Sequence, residues 1–309
     1  MPLHKLVKPR LPSAAIGIES NVASLVQLDR GRGGFVIRRA ASLNLSPELI
    51  KPGFDQPNIS DPVVLATVLT DLSTSAGLLR QRKFSACLPE ATTRSAVVTI
   101  EGTTGSRREA EEMFEWKLER SFGAPASELR VSRERMAPDA QRHTRYLVNA
   151  VRRDVLAEYE SLFHSLRWHV GLILPRHTGE EQWLRNGRHG DGLLLTAHDD
   201  GFTAVLMRGE KPLAVRSVFC EPTEREDELH RILLFYRDRL GTPAQATSVD
   251  RVLVLGERVD KQRVAKIVRD TFGGELRLLS AADVGLVVPS SNLDFDSIAA
   301  PAGLARMAW

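Results

Sequence analysis

The chain has 309 residues, 42% of them hydrophobic and 26% charged, with 42 basic residues against 39 acidic ones. That length suffices for two ordinary cores, so two lobes are expected. The near balance of charge argues against nucleic acid as a main partner. Two distant cysteines, Cys87 and Cys220, leave no basis for a disulfide framework or a zinc site and fit a reducing compartment.

Residues 1–12 carry Lys5, Lys8 and Arg10 with no apolar segment behind them, so a basic flexible tail is expected rather than a signal peptide or anchor. No later apolar run approaches bilayer-spanning length. Three strands follow, over 14–18, 23–29 and 35–42, rich in β-branched residues. Ser20-Asn21 and Gly31-Arg32-Gly33-Gly34 supply turn chemistry between them. A proline-rich loop (47–57) leads to a helix opened by Asp61-Pro62, an N-cap followed by proline in the first turn. Leu65, Val68, Leu69, Leu72 and Leu79 form its apolar face. A strand over 84–88 stops at Pro89.

The next segment reads as strand (96–100), helix (106–122, with Met113, Phe114, Leu118 and Phe122 on one side) and two strands (129–135 and 145–151). This β-α-β-β stretch has the form of an inserted subdomain. Its bases Arg107, Arg108, Arg133, Arg135, Arg142 and Arg145 alternate with Glu109, Glu111, Glu112 and Glu134, which predicts a solvated face. A helix over 154–166 and a strand over 168–174 then return to the first lobe.

From residue 193 the opening order repeats. Strands are predicted over 193–197, 202–207 and 213–219, with turns at Asp199-Asp200-Gly201 and Gly209-Glu210-Lys211. A helix follows over 224–240, with Leu229, Ile232, Leu233, Tyr236 and Leu240 as its buried stripe, and then a strand over 252–255. The shared order of three strands, helix and strand implies a duplication with a cleft between the copies. His177, His189 and His198, with Asp191, Asp199 and Asp200, fall in one window. Their spacing matches no helical two-histidine pattern, the region reads as linker plus hairpin, and a solvated loop is expected rather than a metal site. Neither a Walker loop nor a nucleophile elbow occurs.

The residues that carry a family resemblance are now in view. Ala15-Ile16-Gly17-Ile18-Glu19 resembles the first phosphate hairpin of the superfamily of actin, heat-shock chaperone ATPases and sugar kinases, which has a ribonuclease H-like core. Asn149 to Asp154 with Tyr159, the helix Glu228-Leu229-His230-Arg231-Ile232-Leu233-Leu234-Phe235-Tyr236, and the ending Ala302-Gly303-Leu304-Ala305-Arg306 resemble stretches of the pilus assembly family PilM. That family is FtsA-like and has relatives in type II secretion and mannose-sensitive pilus systems. The resemblance covers nearly all of the chain from residue 13. It implies an α/β, duplicated, two-lobed actin-like fold with an FtsA/PilM-type insertion. The implied domains are 13–94 plus 153–188 (first lobe), 95–152 (inserted subdomain) and 189–309 (second lobe).

The resemblance also implies a nucleotide site at Glu19, Ser20, Asn21, Asp199, Asp200, Gly201, Gly256 and Glu257. Its elements are degenerate. The first turn has an acid but no glycine, Asp199-Asp200-Gly201 reads as a plain hairpin, and Glu257 replaces a glycine where a carboxylate would repel phosphate. No cofactor and no catalytic residue are therefore expected, with ATP and magnesium as the alternative.

By resemblance, the function is that of a cytoplasmic scaffold at the inner face of the inner membrane. It would hold the N-terminal peptide of a PilN-like membrane protein in a groove and meet pilus platform proteins. The expected groove walls are the strand 96–100, the helix 106–122 and the first-lobe helix 65–79. A second reading is an active ATP-dependent switch or sugar kinase-like enzyme. A third is a self-associating, FtsA-like polymer subunit, for which the ending 305–309 is too short to serve as a membrane helix. Trp309 is expected to pack on the second lobe.

Overall fold

The computed structural model describes residues 11–101, 106–138, 141–185, 190–240, 248–289 and 293–309. The expected tail residues Lys5, Lys8 and Arg10, and His189, lie outside them, as does the side chain of Leu240.

Strands β1 (Ala14–Ile18), β2 (Val22–Gly31) and β3 (Gly34–Asn44) form an antiparallel meander. The helix α1 (Pro62–Ser75) follows, and its Asp61 cap accepts hydrogen bonds from the Val63 and Val64 amides. Such a cap stabilises by about 1 kcal/mol. Strand β4 (Lys83–Leu88) then pairs parallel to β1.

The second half repeats this. Strands β9 (Asp191–His198), β10 (Gly201–Arg208) and β11 (Lys211–Phe219) form a meander, the helix α5 (Arg225–Leu240) follows, and β12 (Val249–Leu255) pairs parallel to β9. The first sheet also holds β8 (His169–Pro175) beside β4, and the second holds β13 (Arg277–Leu278) beside β12. In both sheets the order is therefore third, second, first and fourth strand of the repeat, then one more parallel strand.

Between β4 and β8 the chain builds a separate three-stranded sheet from β5 (Arg94–Ile100), β6 (Leu129–Arg135) and β7 (Thr144–Arg152), ordered β5-β7-β6. Helix α2 (Arg107–Phe122) covers it with Phe114, Leu118 and Phe122, and the first-lobe residue Phe54 plugs into the same core. Its surface charges pair as their alternation predicts: Arg108 with Glu112, and Arg133 with both oxygens of Glu111. Helix α3 (Arg153–Ser165) returns the chain to the first lobe, where it packs with α1 over one sheet face. Helices α5 and α6 (Lys261–Phe272) cover the outer face of the second sheet.

The inner faces of the two sheets share one core. Val26, Leu28 and Ile37 of the first sheet join Leu194, Val205 and Leu253 of the second, with Trp183 among them. Into this core goes the last helix, α7 (Phe295–Arg306), which accepts a 2.8 Å hydrogen bond from the Trp183 indole at Ala299. It crosses α4 (Arg176–Glu180) closely enough that a Cβ on Gly303 would overlap the Gly179 carbonyl.

Chain order suggests that 189–309 stays together, yet its last part turns back to the first sheet. Strand β14 (Leu286–Val287) pairs with β3, and α7 lies on β1, β2 and β4. Trp309 likewise departs from expectation. Its ring lies 5.6 Å from that of Phe35 on β3, in the first lobe. The cause is the return of α7, which delivers the residues after it to the same side.

Candidate functional site

The two hairpin turns face each other across the cleft, and the side chains expected to mark a nucleotide site meet one another. The Ser20 hydroxyl donates to Asp199 at 2.6 Å, and the Asn21 amide donates to Glu257 at 3.3 Å. The first turn closes on itself through a 2.8 Å bond from the Glu19 amide to the Val22 carbonyl, and Ser24 donates to the Ser297 carbonyl of α7 at 2.6 Å. On the second turn, Asp200 lies beside Asp199, and its carbonyl accepts from the Cys220 amide at 3.0 Å. Gly201 opens β10 against the Val218 carbonyl. Arg225, at the start of α5, braces this turn from below by donating to the His198 and Asp199 carbonyls at 2.7 and 3.1 Å.

Gly256 has φ +102, and a Cβ there would overlap the Ala197 carbonyl. Its missing side chain is thus taken up by the neighbouring strand end of its own lobe, not left bare for a ligand.

Beneath the turns lies a buried charge network that residue spacing alone did not single out. Strands β4 and β8 run in register, Leu88 opposite Pro175, so the residues just past their carboxyl ends come together. Glu90 accepts from the His177 ring at 2.7 Å and from Thr203 of the second lobe at 2.9 Å. Arg176 pairs with Glu180 at 2.7 Å and with Glu19 at 3.5 Å. Glu180 also accepts from Thr196 of the second lobe.

Burial sets the electrostatics of this layer. It pushes the Glu19 carboxyl up to about 8, against the pull of Arg176. Burial would also raise Glu90, but His177 outweighs it and holds the carboxyl at about 2. Burial would lower His177, and Glu90 overrides that and raises it. Each partner thus favours the charged form of the other. His177 and Asp191 are buried and His198 is half-buried, which corrects the expectation of a solvated loop for these three. The signal for this layer was present in the paired Leu-Pro-Glu and Leu-Pro-Arg-His ends of two strands, since α/β sheets place functional groups just outside strand carboxyl ends.

The enclosed space of the cleft is about 90 Å³, well below the roughly 300–1,000 Å³ of ordinary small-molecule sites. Bridged turns, an occupied Gly256 position and Glu257 spanning the cleft do not fit ATP with magnesium. Among the described residues no cluster of three metal-ligating side chains occurs.

A larger hollow of about 960 Å³ lies on the other side of β11. Its walls are β5 and the end of α2 from the inserted subdomain, Glu90, Ala91 and Thr93 from the link to the first lobe, and β11 with α5 of the second lobe. Two of the three expected groove walls therefore meet there. The third, α1, lines a separate hollow with α3, about 810 Å³ in size. Phe219 and Phe235 flank the larger hollow and are 61% and 56% exposed.

Together these features define a duplicated two-lobed protein of the actin-like fold, with an inserted β-α-β-β subdomain and a bridged interlobe cleft. A solved chain of the PilM-PilN type IV pilus biogenesis complex has the same fold, with TM-score 0.76 and 19% identity over 97% of this chain and 99% of that one. More distant likenesses are the cytoplasmic domain of EpsL, an inner-membrane component of the type II secretion system of Vibrio cholerae, and the ethanolamine utilization protein EutJ of Carboxydothermus hydrogenoformans. EpsL has TM-score 0.48 and 12% identity over 96% of this chain and 93% of that one. EutJ has TM-score 0.47 and 11% identity over 98% and 93%. No protein-family model and no curated protein matches the chain.

Proposed function

We propose that the chain is a PilM-like scaffold of a type IV pilus or type II secretion platform, working at the cytoplasmic face of the inner membrane. Its partner is the cytoplasmic N-terminal peptide of a PilN-like membrane protein, and it works without hydrolysing ATP. The observation that carries this reading is the contrast between a bridged cleft of about 90 Å³ and an open groove of about 960 Å³ walled by the inserted subdomain. The near-full-length likeness to a chain of a PilM-PilN complex supports the partner class.

In this reading the lobes are 13–94 plus 153–188 and 189–309, with the segment from β14 onward tying the second back to the first, and 95–152 is the partner-binding insertion. Glu19, Ser20, Asn21, Asp199, Asp200, Gly201, Gly256 and Glu257 are struts between lobes rather than phosphate ligands. Among the described residues no helix is long and apolar enough to cross a membrane, so the membrane is reached through the partner.

The test is a pull-down with the cytoplasmic peptide of the single-span membrane protein encoded beside this chain, together with calorimetry against magnesium-ATP. Retention of the peptide and no saturable heat at millimolar ATP are expected. No retention, or saturable ATP binding lost on Gly256 substitution, would favour the switch or kinase reading instead.

A further inference from the structure

The end of the first lobe farthest from the cleft gathers charge of one sign. Strands β1, β4 and β8 begin there and the β2–β3 hairpin turns there: Ser13 accepts from the Leu28 amide at 2.9 Å, and Lys83 stands opposite His169. Helices α1 and α3 end at the same place, since short links, 76–82 and 166–168, carry them into β4 and β8. At a strand spacing of about 4.8 Å, the row from β3 to β8 is about 19 Å wide. Residues 76–84 and 166–170 include Arg80, Arg82, Lys83, Arg167 and His169 and no acid. The hairpin adds Arg30 and Arg32. The acids beside it, Asp29 and Asp283, are paired with Arg38 and Arg277.

Two of these bases serve the fold. Arg39 donates to the Gly77 carbonyl at 2.6 Å and Arg82 to the Leu79 carbonyl at 3.0 Å, just past the carboxyl end of α1, where cations are favoured. Arg30, Arg32, Arg80, Lys83 and Arg167 are exposed, and their side chains make no hydrogen bond or ion pair among the described residues. Arg167 is the most telling of them, because α1 and α3 close with the same motif. After α1 the Gly77 amide donates to the Thr74 carbonyl and the Leu78 amide to the Ser73 carbonyl. After α3 the Arg167 amide donates to the His164 carbonyl and the Trp168 amide to the Phe163 carbonyl. The motif needs one left-handed residue, which glycine supplies at position 77 with φ +67. At position 167 an arginine takes φ +56 instead, a conformation that a residue with a Cβ adopts at a cost. Nothing its guanidinium touches within the described residues offsets that cost.

The setting indicates the partner. Leu79 is 52% exposed among these charges, and with Arg82 and Arg167 it lines a hollow of about 270 Å³. A broad row of unpaired cations around an exposed leucine fits an acidic lipid surface, whose phosphates meet the cations while the apolar side chain enters the interface. Nucleic acid fits less well. The aromatic residues of this end, Phe84 and Trp168, are buried and offer no ring for bases to stack on, and the net charge of the chain is only +3. The chain also reaches Ser13 at this end, after a stretch whose sequence carries Lys5, Lys8 and Arg10.

We infer that this end of the first lobe is a docking surface for an acidic phospholipid bilayer. Arg30, Arg32, Arg80, Lys83 and Arg167 lie against lipid phosphates, and Leu79 enters the headgroup layer. The inference goes beyond the scaffold reading and does not rest on it, since the surface is separate from the groove walled by the inserted subdomain and the second lobe. The membrane is then met directly as well as through the partner. Two modest contacts made at once hold the chain there more firmly than either alone.

The test is co-sedimentation of the full chain, with no partner present, with vesicles of phosphatidylethanolamine and phosphatidylglycerol and with neutral phosphatidylcholine vesicles. Binding to the acidic vesicles alone is expected, and its loss at about 0.5 M salt. Each basic residue near such a surface contributes about fivefold in affinity. Arg167→Gly should therefore weaken binding about fivefold while the melting temperature holds or rises, because glycine suits the motif that ends α3. Arg80→Glu combined with Lys83→Glu should abolish sedimentation. Lys266→Glu, an exposed charge reversal on α6 of the second lobe, should leave it unchanged. No binding to acidic vesicles would overturn the inference. So would an oligonucleotide that binds more tightly in anisotropy than the vesicles do, which would assign the surface to nucleic acid. Binding that is lost in the triple variant Lys5→Ser, Lys8→Ser and Arg10→Ser, yet is indifferent to Arg167→Gly and to the Arg80 and Lys83 reversals, would overturn it too. None of these results touches the scaffold reading, which the peptide pull-down decides.

Discussion

The bridged cleft and the open groove adjoin at Glu90, Ala91 and His198 and are built on opposite principles. In the cleft, charged and hydroxyl groups meet across the lobes: Ser20 with Asp199, Asn21 with Glu257, Glu90 with Thr203, and Arg176 between Glu180 and Glu19. In the groove, two strand edges and two exposed phenylalanines face solvent. Buried polar groups are costly unless paired, so the paired layer of Glu90, Thr203, Arg176 and Glu180 contributes to holding the two lobes together. Unpaired edges offer backbone donors and acceptors that a closed network does not. The inserted subdomain supplies one of those edges.

Substitutions separate these roles, and the largest effect belongs in the cleft. Glu90→Ala leaves His177 buried without its counter-charge and removes the acceptor that Thr203 reaches across the lobes. It should cost about 3–5 kcal/mol in urea denaturation. A cost under 1 kcal/mol would mean that the charge layer does not join the lobes. Gly303→Ala should follow, at about 1–3 kcal/mol, because its Cβ has no room against the Gly179 carbonyl. This variant asks whether the return of α7, rather than the polar layer, carries the lobe junction.

The pH dependence comes next and sharpens the electrostatic part. Glu19 has its folded value raised to about 8 from an ordinary 4.5. The unfolded chain releases this proton first, so the group's contribution to stability is full below pH 4.5 and declines as pH rises through 8. Glu90 has the opposite sign. Its value of about 2 makes its contribution full above pH 4.5 and progressively lost toward pH 2. Melting temperatures of Glu19→Gln should therefore fall less than those of the wild type between pH 5 and pH 8, and the two curves should stay parallel at acid pH. Equal slopes on the alkaline side would show that Glu19 is ionised in the folded chain. The smallest effect on stability belongs to Arg216→Glu in the groove, within about 0.5 kcal/mol, yet it should weaken the peptide measurably in anisotropy.

Much of this architecture was legible in the residues. Alternation, turn chemistry and the Asp61-Pro62 cap located both meanders and α1, and the apolar spacing of Phe114, Leu118 and Phe122 located α2. Helix α7 was harder to read, because Pro301 and Gly303 weigh against a helix locally. They are accepted because close packing on β1 and α4 needs small or flat residues there: Pro301 lies 3.0 Å from where a Cβ on Gly17 would sit. Trp309 was misplaced for the same reason. The charge layer was hidden by distance along the chain, since Glu90 and His177 are 87 positions apart and meet only through the parallel register of β4 and β8. The degenerate nucleotide turns could be read as lacking phosphate chemistry, but not as the struts they form, because a hydrogen bond between Ser20 and Asp199 depends on how the two copies face each other.

Hydrogen exchange followed by mass spectrometry, on the chain alone, with partner peptide and with magnesium-ATP, tests the central claim most directly. The account predicts that the peptide slows exchange in β5 and β11, and that ATP slows none of the residues in 17–24, 197–201 and 256–258. Protection of those turns by ATP, with β5 and β11 unchanged by peptide, would contradict it.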